Sequence, residues 1–269
     1  MASRSNKIET GFPSRIVCLS YDTVAILSAI GCAGRIVGKP SGAAGPENAA
    51  DIGGFARPDV DAITTLKPDI VIGYSEISAN TIAQLVRKNI NTLVLQHTSL
   101  DETYASIALL GRVTGNVREA AKLISTMRRE FREIAARAPE KSRRPVVYFE
   151  EWNKPCVCGV QWVSEIIGIA GGTDGFAPRC QPKRYLEREV TTAEVVVVAP
   201  EIIFASWCGN PVDIDSIKSR PGWESVPAVR NGQIYAVPGE IILQPGPWLV
   251  KGARFFADII SKYAAIKIQ

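Results

Sequence analysis

Short apolar runs alternate along the first hundred residues with segments whose apolar positions recur every three or four residues. The runs are typical of buried strands, and the longer period is typical of amphipathic helices. The predicted strands are residues 15–19, 35–37, 69–73 and 92–95, and the predicted helices are 21–30, 59–66 and 81–88. Strands that alternate with helices favour a mainly parallel sheet with helices on both faces.

One segment, residues 116–138, keeps the helical period much longer than any before it. Its apolar positions are Val117, Ala120, Ala121, Ile124, Met127, Phe131, Ile134 and Ala135. This spacing predicts one long amphipathic helix, which Pro139 and Pro145 end. A helix of this length can run from one lobe of a protein to another.

The second half of the chain starts the strand and helix pattern again. We predict strands at 145–149 and 201–206, a helix at 162–170 and a final helix from 247 onward. Residues 66–73 (LKPDIVIG) and 198–205 (VAPEIIFA) share one order, a helix end, a proline, an acidic residue and an apolar strand. The repeat indicates two lobes built on one plan.

The predicted fold is therefore α/β, with two lobes of mainly parallel sheet and flanking helices that one long helix joins. The predicted domains are an N-terminal α/β lobe at 14–115, the connecting helix at 116–138 and a C-terminal α/β lobe at 145–269. A chain of 269 residues has enough length for two such lobes.

Composition narrows the class of partner. Lys and Arg number 31 against 27 Asp and Glu, a net charge of only +4 without a long basic cluster, which argues against nucleic-acid binding. No segment has the roughly 18 consecutive apolar residues of a membrane span. Residues 1–14 are polar and lack the apolar run of a secretory signal, so the sequence as written predicts a cytoplasmic protein, or a periplasmic one if a leader has been removed.

Four thiols are concentrated in the second half and form a candidate metal site. They are Cys156, Cys158, Cys180 and Cys208. If the loops that carry them converge, the four thiolates could hold zinc or an iron–sulfur cluster. Side chains alternate along a strand, so Cys156 and Cys158 lie on the same face and could share a metal. Their spacing lacks the paired C-x-x-C signature, so buried and inert cysteines are the alternative.

Catalytic motifs are missing from the sequence. It contains no G-x-S-x-G, P-loop or H-E-x-x-H pattern. Glu150 and Glu151 are adjacent carboxylates, but neighbours in a strand point to opposite faces and cannot easily share a proton. We therefore expect a binding protein and not an enzyme.

Several motifs, in order along the chain, resemble those of the substrate-binding proteins of ABC importers for vitamin B12, ferric siderophores and haem. They are RIVCLS at 15–20, AIG and RIVG within 29–38, LKPDIVIG at 66–73, EEW-x-x-P at 150–155, AGG at 170–172, RPGW at 220–223 and AVRNGQIY at 228–235. The resemblance covers residues 14–262. It implies the class III periplasmic-binding-protein fold, with a ligand held in the cleft between two lobes.

The resemblance also implies ligand contacts from aromatic side chains in loops at strand ends. The matching positions are Phe55, Tyr74, Trp152, Trp207 and the stretch from Glu240 to Trp248, and Trp162 lies close by at the start of a predicted helix. An aromatic-lined cleft suits a flat macrocycle, because large rings bury much area and stack with a preferred geometry. Tryptophans that simply fill each lobe's core are the alternative.

His97, the only histidine, follows the strand at 92–95, at the end where ligands bind in such sheets. It is a candidate axial ligand to iron or cobalt, or else a structural loop residue. The resemblance further implies that Asp61, together with Asp213 or its neighbour Asp215, is a candidate pair for docking onto basic pockets of the permease.

Three functions follow. The first is a binding protein for a metal-bearing small molecule, with cobalamin or another corrinoid favoured over haem or a ferric siderophore. The second is a cytosolic metalloprotein whose cysteines hold an iron–sulfur cluster or a metal. The third, the least favoured, is an enzyme that acts on such a cofactor.

Overall fold

The computed structural model describes residues 11–140, 144–181 and 184–266. These residues form two compact units. The first unit runs to Gln96 and includes Ala105–Leu123, and the second contains His97–Tyr104 and the chain from Ile124 onward. The predicted domain boundaries, 14–115, 116–138 and 145–269, remain a prediction.

The first unit is a parallel sheet with helices. Its elements are β1 (Ile16–Cys18), α1 (Tyr21–Ala29), β2 (Ile36–Lys39), β3 (Ala50–Asp51), β4 (Gly53–Gly54), β5 (Arg57–Pro58), α2 (Val60–Thr65), β6 (Ile70–Tyr74), α3 (Ala79–Arg87) and β7 (Thr92–Leu95). The strand order is β3-β2-β1-β6-β7, while β4 and β5 form a separate hairpin. Neighbouring strands of the main sheet pair in parallel.

The core of this unit follows from its apolar strands. Both faces of β1 and β6 are covered, as expected for parallel strands with helices on each side. Buried side chains of one core cluster are Val17, Leu19, Ile52, Ile63, Val71 and Leu85.

Two helices follow β7, where the sequence pattern predicted one. The predicted long helix at 116–138 is present as α5 (Val117–Ala135), and α4 (Leu100–Thr114) precedes it. The apolar positions predicted for α5 include Ala120, Met127 and Phe131, and all three are buried. Helix α4 was not predicted from the sequence.

The second unit repeats the parallel plan. Its elements are β8 (Val146–Asn153), β9 (Cys156–Cys158), α6 (Gln161–Ile169), β10 (Thr173–Asp174), α7 (Thr192–Val198), β11 (Ile202–Ala205), α8 (Ile214–Lys218), α9 (Pro227–Arg230), β12 (Ile234–Ala236), α10 (Gly239–Ile242) and α11 (Leu249–Ile266). The parallel order is β10-β8-β11-β12, and β9 pairs antiparallel with β8. The predicted α/β class is confirmed.

The internal repeat is also present in the structure. Both α2 and α7 are followed by a residue with positive φ, Lys67 at 46° and Ala199 at 49°, and then by a proline, an acidic residue and a strand. Asp69 accepts hydrogen bonds from the backbone N–H of Ser14 and Arg15, at 2.7 and 2.8 Å. Glu201 accepts one from the N–H of Val146, at 3.0 Å. In each unit the acidic residue thus anchors the chain where a sheet strand begins.

Among the described residues, no helix is both long and apolar enough to cross a bilayer.

Candidate functional site

In the first unit, aromatic side chains gather where parallel strands end, the usual place for ligands in open α/β sheets. Phe55 lies on the β4–β5 hairpin, and Tyr74 is the last residue of β6. Both are half-buried. The ring of Tyr21, at the start of α1, lies 5.9 Å from that of Phe55. Tyr21 was not predicted as an aromatic of this edge, although only two residues separate it from the end of β1.

The loop after β6 is fixed by a compact hydrogen-bonded turn. The backbone N–H of Tyr74 donates to Ser78 Oγ, and that hydroxyl donates to the Tyr74 carbonyl, both at 3.0 Å. A Cβ at Gly73 would lie 2.9 Å from the Ser78 Cβ, so only glycine lets the turn approach the strand this closely. The turn holds the backbone of Tyr74 in one position.

In the second unit, a buried carboxylate organises the end of β8. Glu150 is fully buried and bound by Arg220, whose Nη2 lies 2.8 Å from Oε1. The Trp207 indole N–H donates to the same oxygen at 3.0 Å, and the Tyr148 hydroxyl donates to Oε2 at 3.2 Å. Burial, and then the charge of Glu150, raise the pKa of Tyr148 well above its ordinary value. The network links β8 to the chain after β11.

The adjacent carboxylate has its own arginine. Arg188 binds both oxygens of Glu151, at 2.7 and 3.0 Å, and also donates to the Cys158 carbonyl. Burial alone lowers the pKa of Arg188, but the charge and hydrogen bonds of Glu151 outweigh it and raise the pKa overall. Glu150 and Glu151 therefore have separate arginine partners, as expected for neighbours in a strand that point to opposite faces.

The tryptophans differ in their exposure. Trp207 is 6% exposed and Trp162 is 5% exposed, with the Trp162 indole N–H donating to the Ile242 carbonyl at 2.9 Å. Trp152 is half-buried and donates to the Lys154 carbonyl at 3.0 Å. Trp248 is 37% exposed, and the Lys251 ammonium lies 3.9 Å from its ring centroid. Trp152 and Trp248 are therefore more accessible to a ligand than Trp162 and Trp207.

Glu240 lies in the first turn of α10 and is exposed, so its carboxylate is accessible.

Arg188 and Arg220 were not predicted as part of the site. An arginine's partner depends on which loops the tertiary fold brings together, and no local spacing in the sequence encodes it. The signal available for Arg220 was its place in the RPGW motif.

The thiols do not assemble the predicted metal site. The Sγ atoms of Cys158 and Cys180 are 3.9 Å apart, while Cys156 Sγ contacts Arg220 Nη1 at 3.5 Å and Cys208 is exposed. Within the described ranges, no three His, Cys, Asp or Glu side chains come together as ligands of a metal ion. The interpretation of Cys156, Cys158, Cys180 and Cys208 as a cluster site is thus not supported.

His97 does not join them. It lies at the start of the short segment His97–Tyr104 of the second unit and is 1% exposed. An imidazole so deeply buried is not available to an incoming ligand without a change in its surroundings. The axial-ligand role proposed for His97 remains untested.

The candidate docking acids share one local structure. Asp59 caps α2 by accepting from the N–H of Asp61 and Ala62, and Asp213 caps α8 in the same way from Asp215 and Ser216. Asp61 and Asp215 lie in the first turns of these helices, with side chains 89% and 90% exposed. Asp215, and not the capping residue Asp213, is therefore the structural counterpart of Asp61.

Aromatic side chains at the ends of parallel strands are typical of a ligand-binding site in an α/β protein. The family model described as "Periplasmic binding protein" matches residues 16–241, and the chain belongs to this family. The predicted fold class and the absence of an enzymatic role agree with this membership.

Three known proteins show what the chain is similar to. The uncharacterized ABC transporter substrate-binding lipoprotein YvrC of Bacillus subtilis is 23% identical, over 92% of this chain and 80% of that protein. The vitamin B12-binding protein of Vibrio parahaemolyticus is 22% identical, over 87% and 84%. The periplasmic heme-binding protein RhuT of Roseiflexus sp. RS-1 superposes with a TM-score of 0.78 at 22% identity, covering 93% of this chain and 98% of that one.

Proposed function

We propose that this chain binds a metal-bearing small molecule of the vitamin B12, haem or ferric-siderophore type and delivers it to the permease of an ABC importer. Family membership and the names of the relatives support this class of ligand. The same relatives support a location outside the cytoplasm. The part of the chain that the structure describes assembles no ligand set that would support the cytosolic metalloprotein alternative.

Among these ligands we propose a corrinoid. The observation that carries this choice is the pairing of Arg188 and Arg220 with Glu151 and Glu150. Citrate complexes and haem propionates are anionic and need cationic partners, whereas Arg188 and Arg220 are already neutralised within the protein. Lys251, beside Trp248, is the cation described at a proposed contact, and one such charge matches the several carboxylates of these anions less well than the amides of a corrinoid. A corrinoid carries amides at its periphery and a large ring, which suits hydrogen-bonding and aromatic contacts.

The proposed contacts come from accessible aromatic side chains at the strand ends of each sheet. Phe55 and Tyr74 serve in the first unit, and Trp152 and Trp248 in the second, with Glu240 as a nearby acceptor. Trp162 and Trp207 are assigned to the packing of the second unit, since both are buried and their indole N–H groups donate hydrogen bonds within the protein. His97 is left out of the proposal because of its burial.

The test is a titration of the purified chain with cyanocobalamin, haemin and ferric citrate in separate experiments, followed by calorimetry and visible absorbance. We expect cyanocobalamin to bind at least about tenfold more tightly than the other two, a difference of about 1.4 kcal/mol. Tight binding of ferric citrate or haemin instead of cobalamin would assign the chain to that ligand and reject the corrinoid. Failure of all three would reject the ligand class.

Two substitutions locate the contacts. Tyr74→Ala and Trp152→Ala should each weaken cobalamin binding by about tenfold, because each removes a stacking surface. Phe12→Ala is the matched control, since Phe12 is an aromatic residue that is 49% exposed and precedes the start of β1. Equal affinity for all three variants would show that the strand-end aromatics do not contact the ligand.

For delivery we propose that Asp61 and Asp215 present one exposed negative charge in each unit to basic groups of the permease. Asp213 is the N-cap that orients the first turn of α8, which carries Asp215.

Asp61→Asn together with Asp215→Asn should lower the uptake of labelled cobalamin about tenfold in cells of the organism from which the chain comes, and should leave the affinity of the purified chain for cobalamin unchanged. Glu47→Gln with Glu224→Gln, two exposed carboxylates elsewhere, is the control pair. Undiminished uptake by the Asp61 and Asp215 variant would reject the docking role.

A further inference from the structure

Two thiols in the second unit lie in contact and have no role in the proposed ligand site. Cys158 ends β9, and Cys180 ends a 3₁₀ turn at Ala177–Cys180. Their Sγ atoms are 3.9 Å apart, and each residue is 1% exposed. The two sulfur atoms are in van der Waals contact on packed elements. Side-chain rotations that bring them about 2 Å closer would reach the S–S bonding distance of about 2.05 Å.

We propose that Cys158 and Cys180 form a disulfide bond when the protein folds under oxidising conditions. Family membership places relatives of this chain in the periplasm, where disulfides form and persist. The bond would join β9 to the 3₁₀ turn across 22 positions of sequence.

The other cysteines are placed differently. Cys156 Sγ is 3.5 Å from both the Asn153 carbonyl oxygen and Arg220 Nη1. Cys208 is exposed, while Cys18 and Cys32 belong to the first unit. Cys158 and Cys180 are thus the pair that the described residues bring together.

The folded thiols are slow to react, which fixes when the bond forms. The Cys180 thiol donates to Asp174 Oδ2 at 3.3 Å. Its hydrogen bond with Cys158, followed by burial and the Asp174 charge, raises the pKa of Cys180 far above its ordinary value. Since the thiolate is the attacking species, exchange with an external disulfide is expected before this core closes and not after it.

The exchange balances with a small-molecule disulfide as the oxidant. One cysteine thiolate attacks oxidised glutathione, breaks its S–S bond and releases one glutathione thiolate. The second cysteine thiolate then attacks the mixed disulfide, forms the Cys158–Cys180 bond and releases the second glutathione thiolate. Each released thiolate takes up one proton, so two cysteine thiols are oxidised and one glutathione disulfide is reduced.

The experiment refolds the reduced, unfolded chain in a mixture of oxidised and reduced glutathione, blocks the remaining thiols with iodoacetamide and maps the peptides by mass spectrometry. We expect one peptide pair joined through Cys158 and Cys180, and four alkylated cysteines. The linked protein should have an unfolding constant lower by about a hundredfold than the reduced protein, because the bond restricts the unfolded chain. Cys156→Ala is the matched control and should keep the link.

Alkylation of all six cysteines after oxidative refolding would overturn the proposal. So would a dominant link through Cys156, or a link that Cys180→Ala fails to abolish. Because the peptide map is made on the unaltered chain, a variant that does not fold leaves the test intact.

Discussion

The two units share a parallel plan but differ in what holds their strand ends. In the first unit, Tyr74 is fixed by a serine hydroxyl and by close backbone approach at Gly73, and the described ion pair, Lys88–Asp61, is exposed. In the second, Glu150 and Glu151 are each bound by a largely buried arginine. The first edge therefore depends on local turn chemistry, and the second on charges that must be paired to remain buried.

The largest effect is expected from Glu150→Gln, since it removes the charge that compensates Arg220 while keeping the shape of the side chain. The Arg220 side chain is 13% exposed and that of Glu150 is 0% exposed, so water solvates the remaining Arg220 charge poorly. We expect the free energy of unfolding to fall by about 3 kcal/mol, measured by urea denaturation.

Asp61→Asn is the matched substitution in the first unit. Because Lys88 and Asp61 are solvated, its cost should stay below about 1 kcal/mol. If the two substitutions cost the same, the contrast between a charge-paired and a turn-based edge is wrong.

The next effect concerns the indole that joins the same network. Trp207→Phe keeps an aromatic ring but removes the N–H that donates to Glu150 at 3.0 Å. A buried hydrogen bond to a charged group contributes about 1.5–3 kcal/mol, so we expect the urea midpoint to fall accordingly.

Trp152→Phe provides the comparison for this change. The Trp152 N–H donates to a backbone carbonyl at 3.0 Å from a half-buried position, where water can take its place. Its loss should cost under about 1 kcal/mol. A larger cost for Trp152 than for Trp207 would show that the buried network does not govern this edge.

Much of the fold could be predicted from the sequence because it depends on local patterns. The strand at 92–95 matches β7 in both bounds, and the helix at 116–138 contains α5. Helix α4 was missed although its start has a local signal, since the Glu102 N–H donates to Ser99 Oγ at 3.1 Å in a Ser-x-x-Glu spacing. A tertiary contact adds to it, from the Leu100 N–H to Glu165 at 2.7 Å. The short strands β9, β10 and β12 are two or three residues long, too short for a period to be recognised.

The site was less predictable, for a physical reason. The sequence shows which residues follow strands, and so Phe55, Tyr74 and Trp152 were found. It does not show whether a tryptophan at such a position faces solvent or a buried carboxylate, as Trp207 does. Nor does it show which thiols meet, and the four-cysteine interpretation was therefore wider than the Cys158–Cys180 contact in the structure.

The smallest effect tests the feature that the two units share. Lys67 and Ala199 have φ values of 46° and 49°, in the left-handed region where a Cβ costs energy and glycine does not. Lys67→Gly and Ala199→Gly should each raise the free energy of unfolding by about 0.5–1 kcal/mol, measured by urea denaturation. Ser219→Gly, at a helix end with φ of −83°, should bring no gain. Equal gains in unfolding free energy at residues 67 and 199 would show that both units have the same backbone strain before a central strand. A gain in one unit alone would show that the two units share the sequence pattern but not the strain.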